Sequence, residues 1–487
     1  MPFILAALSG ILQVLVFPQF SFYWLAAVAV APLLFALARE ESSKRRFLIG
    51  WLCGSIYWGG TCYWIYDVMH DYAGIPAAGA GAIYVAFLLA KGLHLGVFSL
   101  FAGPLMSRSW AIPAISALWI AVEGTHQYFG FPWLYLGNAT ASMSVLARLA
   151  PVAGVYGPSF LLVMLNAALA LTLLRAPRVR LAWLAAIPLV LLLPALPEGE
   201  KGEVPVRLVQ PNIHPDEMIA GRWTPERGRQ HLARMLQLST ADPQRPELLI
   251  WPEYSVPAYY FDSSYSKEYL ESVAKAVNAH FIFNTLDFIE LDGQRRPLNS
   301  AVTLGPEGEF VSRYSKVFLV PFGEFVPWPF SLVVEKITLA AGDFYPGEEF
   351  AVAEIGDHKI GTYICYENAF GRGVRRFVSN GAEALVNISN DSWYGRTAAR
   401  YQHLLLARMR AIENQRWIVR STNDGITTVI NRAGQISPPL PSFEQGSLTA
   451  YFNYSDEMTG YARFGEWFWW VCLVASGVFV LGRRRVP

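Results

Sequence analysis

A polytopic α-helical membrane domain with eight spans, joined to one α/β layered domain outside the cytoplasm, is the fold class the sequence predicts. Three observations carry that reading. The 487-residue chain is 53% hydrophobic and 16% charged, with a mean hydropathy of +0.29. Its first 197 residues are apolar runs broken by short polar loops, and another apolar run covers 466–482. Between them, short strands alternate with helical stretches, as in layered α/β domains. The length excludes one ordinary domain. A net charge of +1 gives no reason for a nucleic-acid partner.

Candidate spans lie near 3–19, 21–38, 47–66, 77–105, 110–127, 152–174 and 181–197, with the eighth at 466–482. Some fall short of the roughly 20 residues a helical crossing needs. The first run has no basic stretch before it and no A-x-A site followed by polar sequence, so it reads as a retained helix. Lys44, Arg45 and Arg46 follow the second span, Arg108 the fourth, Arg175, Arg178 and Arg180 the sixth, and Arg483, Arg484 and Arg485 the eighth. The alternate loops 67–74 and 127–144 hold no Lys or Arg, and Arg148 just beyond is the exception. By the positive-inside rule, both termini are cytoplasmic and residues 198–463 lie outside. The expected division is 1–197, 198–463 and 464–487. Lys91, His94, Glu123 and His126 are ionisable groups inside or near spans, where such residues are costly and often functional. Lys91 reads equally as a residue that snorkels or pairs within the bundle. Trp133, in Gly130-Phe131-Pro132-Trp133, reads as a lipid contact or as part of an interfacial aromatic belt.

The outer domain begins after Glu198-Gly199-Glu200-Lys201. Residues 204–210 alternate as a strand, 224–240 have a helical period, and 247–251 form a buried strand run. A helix over 266–279 leads into a strand over 280–286, and 300–304 pairs with 309–314 around Pro306-Glu307-Gly308. Strand 359–364, helix 370–380, strand 384–388, helix 400–414, strand 417–421 and hairpin 427–436 complete it.

Three polar residues stand at apolar strand ends in this domain, where the sites of α/β sheets assemble. Cys365 ends strand 359–364 at a strand-to-helix turn, with helix N–H dipoles nearby to favour a thiolate. Cys53, Cys62 and Cys472 lie in apolar runs, where a cysteine is a small hydrophobe, so a lone reactive thiol is expected and a disulfide framework is not. Glu253 follows Leu248-Leu249-Ile250-Trp251-Pro252, and Lys316 follows strand 309–314. A carboxylate can take a thiol proton, an ammonium can stabilise an oxyanion, and a thiol attacks acyl carbons. Taken alone, the residues leave Glu253 open as a surface carboxylate and Lys316 as a solvated charge.

Trp251-Pro252-Glu253, Lys316 and Cys365-Tyr366-Glu367, in that order, resemble the Glu-Lys-Cys triad of the nitrilase superfamily. The segment from Asn387-Ile388-Ser389-Asn390-Asp391 to Ser392-Trp393-Tyr394-Gly395 resembles the stretch that follows its nucleophile. Seven apolar runs before the domain, one after it, and Pro321-Phe322-Gly323-Glu324-Phe325-Val326-Pro327 narrow the resemblance to the apolipoprotein N-acyltransferase branch. Arg408-Met409-Arg410-Ala411-Ile412-Glu413 and Thr422-Asn423-Asp424-Gly425 agree, so the likeness covers essentially the whole chain.

The resemblance implies an αββα sandwich and a membrane enzyme of the bacterial inner membrane with its catalytic domain in the periplasm. It implies that Cys365 takes the sn-1 acyl chain of a phospholipid, phosphatidylethanolamine by expectation. The thioester then acylates the α-amine of the S-diacylglyceryl cysteine of an apolipoprotein, by ping-pong kinetics without ATP or metal. Glu253 is the implied base and Lys316 the oxyanion partner. Glu324 orients Lys316 or shares protons, Tyr366 offers an oxyanion N–H, and Glu367 flanks the nucleophile. Trp223 and Trp133 are implied substrate contacts. Tyr259-Tyr260-Phe261 and the stretch from Phe325 to Phe330 could dip into the bilayer surface or pack on the core. A monomer suffices. Pro211 and Tyr254 depart from the family pattern, as does the absence of an arginine near His126. The competing readings are a membrane-tethered amidase that hydrolyses a C–N bond and a non-catalytic binding protein or transporter. The intact trio argues against the second.

Overall fold

The computed structural model describes residues 1–214, 217, 224–256, 259–326 and 344–482. They form two compact units. One holds Met1–Leu196, Thr397–Met409 and the chain from Thr459; the other holds Pro197–Arg396 and Arg410–Met458.

The first unit is helical. Its helices Ala77–Leu105 (29 residues) and Tyr156–Leu173 (18 residues) are long and apolar enough to cross a membrane. Pro2–Val16 and Trp467–Gly482 are apolar but shorter. Two expected helices take other forms. The 21–38 run is a 3₁₀ turn, Tyr23–Ala27, followed by the α-helix Ala31–Ala38. The 181–197 run is 3₁₀ in geometry over Arg178–Leu192, with Pro188, which has no N–H to donate, inside it. The helices Ser43–Thr61 and Ala77–Leu105 approach at backbone distance because glycines face each other. A Cβ on Gly50 would stand 2.2 Å from the Leu95 carbonyl oxygen, and one on Gly54 would stand 2.9 Å from Gly92 Cα. Small residues on facing helices are how membrane helices gain dispersion contact where no hydrophobic drive exists. The outward side of Ala77–Leu105 leaves Val85, Leu89, Leu93 and Val97 exposed, and Val471, Val474, Val478 and Leu481 are exposed on Trp467–Gly482.

The second unit is built on eleven strands among the described residues: β1 (Val204–Gln210), β2 (Leu248–Ile250), β3 (His280–Leu291), β4 (Gln294–Leu304), β5 (Phe310–Ser315), β6 (Val352–Ile355), β7 (His358–Ile364), β8 (Ala384–Ser389), β9 (Ile418–Thr422), β10 (Thr428–Ile430) and β11 (Gly446–Phe452). They make a six-stranded sheet, β11-β1-β2-β3-β4-β5, and a five-stranded one, β10-β9-β8-β7-β6. The central pairs β1–β2–β3 and β7–β8–β9 are parallel and the outer pairs antiparallel. β3 runs beyond its expected end because Asp292-Gly293, at φ +51° and +71°, turns the chain directly into β4. Positive φ at both centres is the hairpin geometry that matches strand twist.

Period-two alternation assigns each strand two faces. Leu249, Trp251, Phe281 and Phe283 meet Leu232 and Met235 of helix Pro225–Ser239 and Leu270, Val273 and Val277 of helix Ser264–Val277 in one buried cluster. The other face meets the second sheet, where the Ser421 hydroxyl donates to the Val209 carbonyl at 3.0 Å and Thr427 to Gln210 Oε1 at 2.7 Å. Helix Gly371–Ser379 lays Phe377 so close on β7 that a Cβ at Gly361 would come within 2.6 Å of it. The layers are therefore helix, sheet, sheet, helix.

Replacing Gly50 with Val should weaken the first unit by about 1–3 kcal/mol, since the added carbons meet backbone and cannot be relieved by a rotamer change. A thermal scan in detergent checks this; an unaltered midpoint contradicts the close approach.

Candidate active site

Glu253, Lys316 and Cys365 stand just past the ends of β2, β5 and β7, and the packing of the two sheets brings them together. Their exposures are 3%, 1% and 6%.

The turn that carries Cys365 is strained. Ile364 is extended, yet Cys365 has φ +49°, a left-handed conformation rare outside glycine that costs about 1–3 kcal/mol. Glu367 holds it there. Its Oε2 accepts the Ile364 N–H at 2.8 Å, and its Oε1 accepts the Tyr314 hydroxyl at 2.6 Å. The same Oε1 takes the backbone N–H groups of Val317 at 2.8 Å and Phe318 at 3.1 Å. One buried carboxylate thus caps the turn that carries Cys365 and fixes the backbone that follows Lys316. Burial pushes its carboxyl up, and the Ile364 N–H and Tyr314 hydroxyl pull back only part of the way.

Lys316 lies between two carboxylates, with Nζ 2.9 Å from Glu324 Oε1 and 3.3 Å from Glu253 Oε1. Asn299 Nδ2 bridges the same two oxygens, at 2.8 Å and 2.9 Å. Asn284 Nδ2 in turn donates to Asn299 Oδ1 at 2.7 Å, which fixes the bridging amide. Glu324 Oε2 accepts the Val320 N–H at 2.8 Å, which closes the turn carrying Glu324 back toward Lys316. Glu253 Oε2 accepts the Asn390 N–H at 3.0 Å, and its carboxylate is also hydrogen-bonded to the Cys365 thiol.

Burial is the largest influence on each titrating member. It pulls Lys316 down, but Glu253, Glu324 and Cys365 outweigh it and hold the ammonium well above the usual lysine range. It pushes Glu253 up, and Glu324 adds to this, while Lys316, Asn299 and Cys365 oppose it. Burial, with Glu324 adding to it, therefore leaves Glu253 more basic than an ordinary glutamate. Burial, with Glu253 and then Asp391, raises the Cys365 thiol against the opposing pull of Lys316 and Ser389. The net effect favours the neutral thiol.

Other expected residues fall variously. Tyr366 follows Cys365, is buried, and packs its ring edge-on to Phe370 at 5.4 Å. Trp223 lies outside the described residues, as do 327–330 and the basic stretch 483–485. Trp133, in the first unit, is 0% exposed. Its ring packs among Trp64, Phe131 and His403, and its Nε1 donates to Gln402 Oε1 at 2.8 Å. Gln402 also takes Trp64 Nε1 at 3.1 Å and donates to the carbonyls of Pro18 at 2.8 Å and Thr61 at 2.9 Å, so Trp133 belongs to a structural hub. Lys91 pairs within the bundle, with Nζ 2.7 Å from His126 Nδ1 and 3.0 Å from the Phe131 carbonyl.

The sequence reading missed Asn284, Asn299 and Ser389. Asn284 interrupts the apolar face it shares with Ile282 and Leu286, and Ser389 lies within the motif that follows Cys365, whereas Asn299 carries no such signal. Tyr254, noted as a departure, has φ +59° and anchors its N–H on Asn284 Oδ1 at 2.9 Å. Its phenol is pushed up by burial, then by Glu324 and Glu253, which places it against the same charges.

Comparison with known proteins places both halves of the chain. Residues 9–168 match the apolipoprotein N-acyltransferase N-terminal domain, and 205–457 match the carbon-nitrogen hydrolase family. The apolipoprotein N-acyltransferase of Geobacter metallireducens is 33% identical, over 98% of this chain and 94% of that one. The chain belongs to the apolipoprotein N-acyltransferase family. The family's protein from Pseudomonas putida is 31% identical over 95% of this chain and 93% of its own, and that from Photobacterium profundum 30% over 95% and 91%. Acyl transfer in this family thus coincides with a chain that carries both a helical unit and a nitrilase-like unit.

Replacing Glu367 with Ala should destabilise the second unit by about 3 kcal/mol, because several buried donors lose a charged acceptor at once. It should also cut alkylation of Cys365 sharply, and Glu367→Gln should recover part of the stability. Denaturation monitored alongside mass-spectrometric labelling tests both; wild-type labelling in a folded Glu367→Ala protein would contradict the clamp.

Proposed function

We propose that the protein transfers the sn-1 acyl chain of a phospholipid to the α-amine of the S-diacylglyceryl cysteine at an apolipoprotein's N-terminus. This transfer completes lipoprotein maturation. The observation that carries the reading is the meeting of a neutral buried thiol, an unusually basic carboxylate and a charged ammonium, in a chain matched to the family along nearly its whole length.

In the first half-reaction Glu253 takes the thiol proton as Sγ attacks the ester carbonyl. Lys316 and the Tyr366 N–H donate to the oxyanion that forms. The ester C–O bond breaks, Glu253 returns the proton to the departing oxygen, and lysophospholipid leaves. In the second, the amine nitrogen attacks the thioester and gives a proton to Glu253. The C–S bond breaks, and Glu253 returns that proton to sulfur. Every proton passes through one carboxylate, so no nucleotide or metal is needed. Glu324 keeps Lys316 in place and keeps Glu253 basic, and Glu367 holds the nucleophile turn.

The same reading makes the chain a monomeric enzyme of the bacterial inner membrane. Residues 198–463 are periplasmic, both termini are cytoplasmic, and eight spans divide the chain at 197 and 464. Support comes from the charge asymmetry of the loops, the two long apolar helices and the exposed apolar faces. At about 2.0 Å of rise per residue, the fifteen-residue 3₁₀ run Arg178–Leu192 is roughly as long as the hydrocarbon core is thick. Phosphatidylethanolamine is the proposed donor and Trp223 a proposed substrate contact. Tyr259 and Phe261, each 41% exposed, are proposed to rest in the lipid interface, whereas Tyr260 is buried in the core.

Purified protein incubated with radiolabelled phosphatidylethanolamine should form a hydroxylamine-sensitive acyl adduct that Cys365→Ala lacks. A diacylglyceryl peptide should discharge it as an amide. No adduct, an equal adduct on Cys365→Ala, or discharge only as free fatty acid would defeat the proposal. Adduct formation should also fail on acidification sooner than an ordinary glutamate requires. Because the Glu253 carboxyl is raised, the base is lost as pH falls through that higher value. Glu253→Gln should lower the acylation rate by about 10²–10⁴ and abolish this acid limb.

A further inference from the structure

Across the parallel pair of β7 and β8, Ile364 is registered against Ile388, so the chain leaves both strands side by side at Cys365 and Ser389. The turn that follows reaches both partners of the first proton transfer. The Asn390 N–H donates to Glu253 Oε2 at 3.0 Å, and the Ser389 hydroxyl, beside Cys365 in the strand register, favours the ionised form of its thiol. That hydroxyl also donates to Asp391 Oδ1 at 2.8 Å. Asp391 Oδ2 pairs with Arg420 at 2.7 Å, with both side chains at 0% exposure. Arg420 additionally donates to Asn387 Oδ1. Asp391 has no room to withdraw, because a Cβ on Gly425 would already stand 2.4 Å from its Oδ2.

A serine hydroxyl has one proton to donate and lone pairs to accept with. While the thiol is neutral, its own proton points at Glu253 and the Ser389 proton points at Asp391. Once Glu253 has the thiol proton, sulfur is an anion that accepts a charge-assisted hydrogen bond, while Arg420 already neutralises Asp391. We propose that Ser389 is a further catalytic residue, whose hydroxyl turns from Asp391 to Cys365 Sγ as the thiol ionises, with the Asp391–Arg420 pair positioning it. No proton leaves Ser389; the single transfer is from Sγ to Glu253. The same donor serves the thiolate again when the amide forms and the C–S bond breaks. The charged groups facing Sγ are Glu253, Lys316 and Asp391, with the phenols of Tyr254 and Tyr394 beside them.

The inference rests on Cys365 as nucleophile, but its test needs neither lipid nor lipoprotein. The full chain in detergent is treated with iodoacetamide across pH 7–9, and the Cys365 peptide is quantified by mass spectrometry. Ser389→Ala should alkylate about tenfold more slowly at each pH, equal to a thiol raised by about one unit. Ser389→Thr, which keeps the hydroxyl, should follow the wild type. If the alanine variant loses its melting transition, Ser389→Thr against Ser389→Val, a near-isosteric pair differing in the hydroxyl, makes the same comparison. A wild-type profile for the hydroxyl-free variant, or an equal slowing in the threonine variant, overturns the proposal. Failure of the acyl-adduct assay with this shift intact would count against the transferase reading alone.

Discussion

The Glu367 carboxylate is the contact on which the rest of the site depends. Cys365 belongs to the five-stranded sheet and Lys316 to the six-stranded one, so nothing in either sheet alone fixes the distance between them. Glu367 accepts from Ile364 on one side and from Tyr314, Val317 and Phe318 on the other. It therefore does two things with one group. It compensates a left-handed residue that has no glycine to relieve it, and it ties two sheets at the level where chemistry takes place. A carboxylate suits this because its two oxygens offer about four acceptor positions, enough for every donor converging there.

The second constraint is charge economy around Lys316. One ammonium beside one buried carboxylate would make a tight ion pair and a weak base. Glu324 prevents that by taking the shorter contact, 2.9 Å against 3.3 Å for Glu253, while Asn299 serves both without adding charge. Three polar side chains and a cation are buried together, and the arrangement holds because each donor in it is shared. Removing one partner leaves the others unsatisfied, so the network acts as one unit and its members will not contribute additively.

Much of this was legible in the chain. The α/β alternation and the trio at strand ends follow from apolar runs that end abruptly in a titratable residue, and the motifs around Glu253, Lys316 and Cys365 identify the family. What escaped was decided by long-range packing. Asn284 and Asn299 look like strand residues of either face until the register of β3 and β4 turns them inward. β6 and β11 were not anticipated, although Leu448, Ala450 and Phe452 of β11 alternate with Ser447, Thr449 and Tyr451. The Asp292-Gly293 turn did carry its own signal and was overlooked. The Gln402 partner of Trp133 was not legible, because an aromatic residue near a span end looks the same whether it meets lipid or an amide. Likewise, nothing local separates 397–409 from the residues around it, although that half of helix Ala399–Asn414 clusters with the helical unit.

The raised thiol follows from these constraints and bears on how such a site avoids wasteful chemistry. A permanent thiolate would be the better nucleophile at every moment, but its susceptibility to oxidation and to stray electrophiles follows thiolate character and exposure. Here burial keeps Cys365 a thiol, and the same burial raises Glu253, so the gap between acid and base stays narrower than the thiol's elevation alone implies. In the proposed reaction the proton moves as an ester carbonyl takes up the developing charge. The water exclusion that makes the thiol sluggish at rest also slows hydrolysis of the thioester while it waits for an amine. A site that carries an acyl group between two substrates needs that patience more than it needs a reactive resting state, and burial supplies it on both sides of the intermediate.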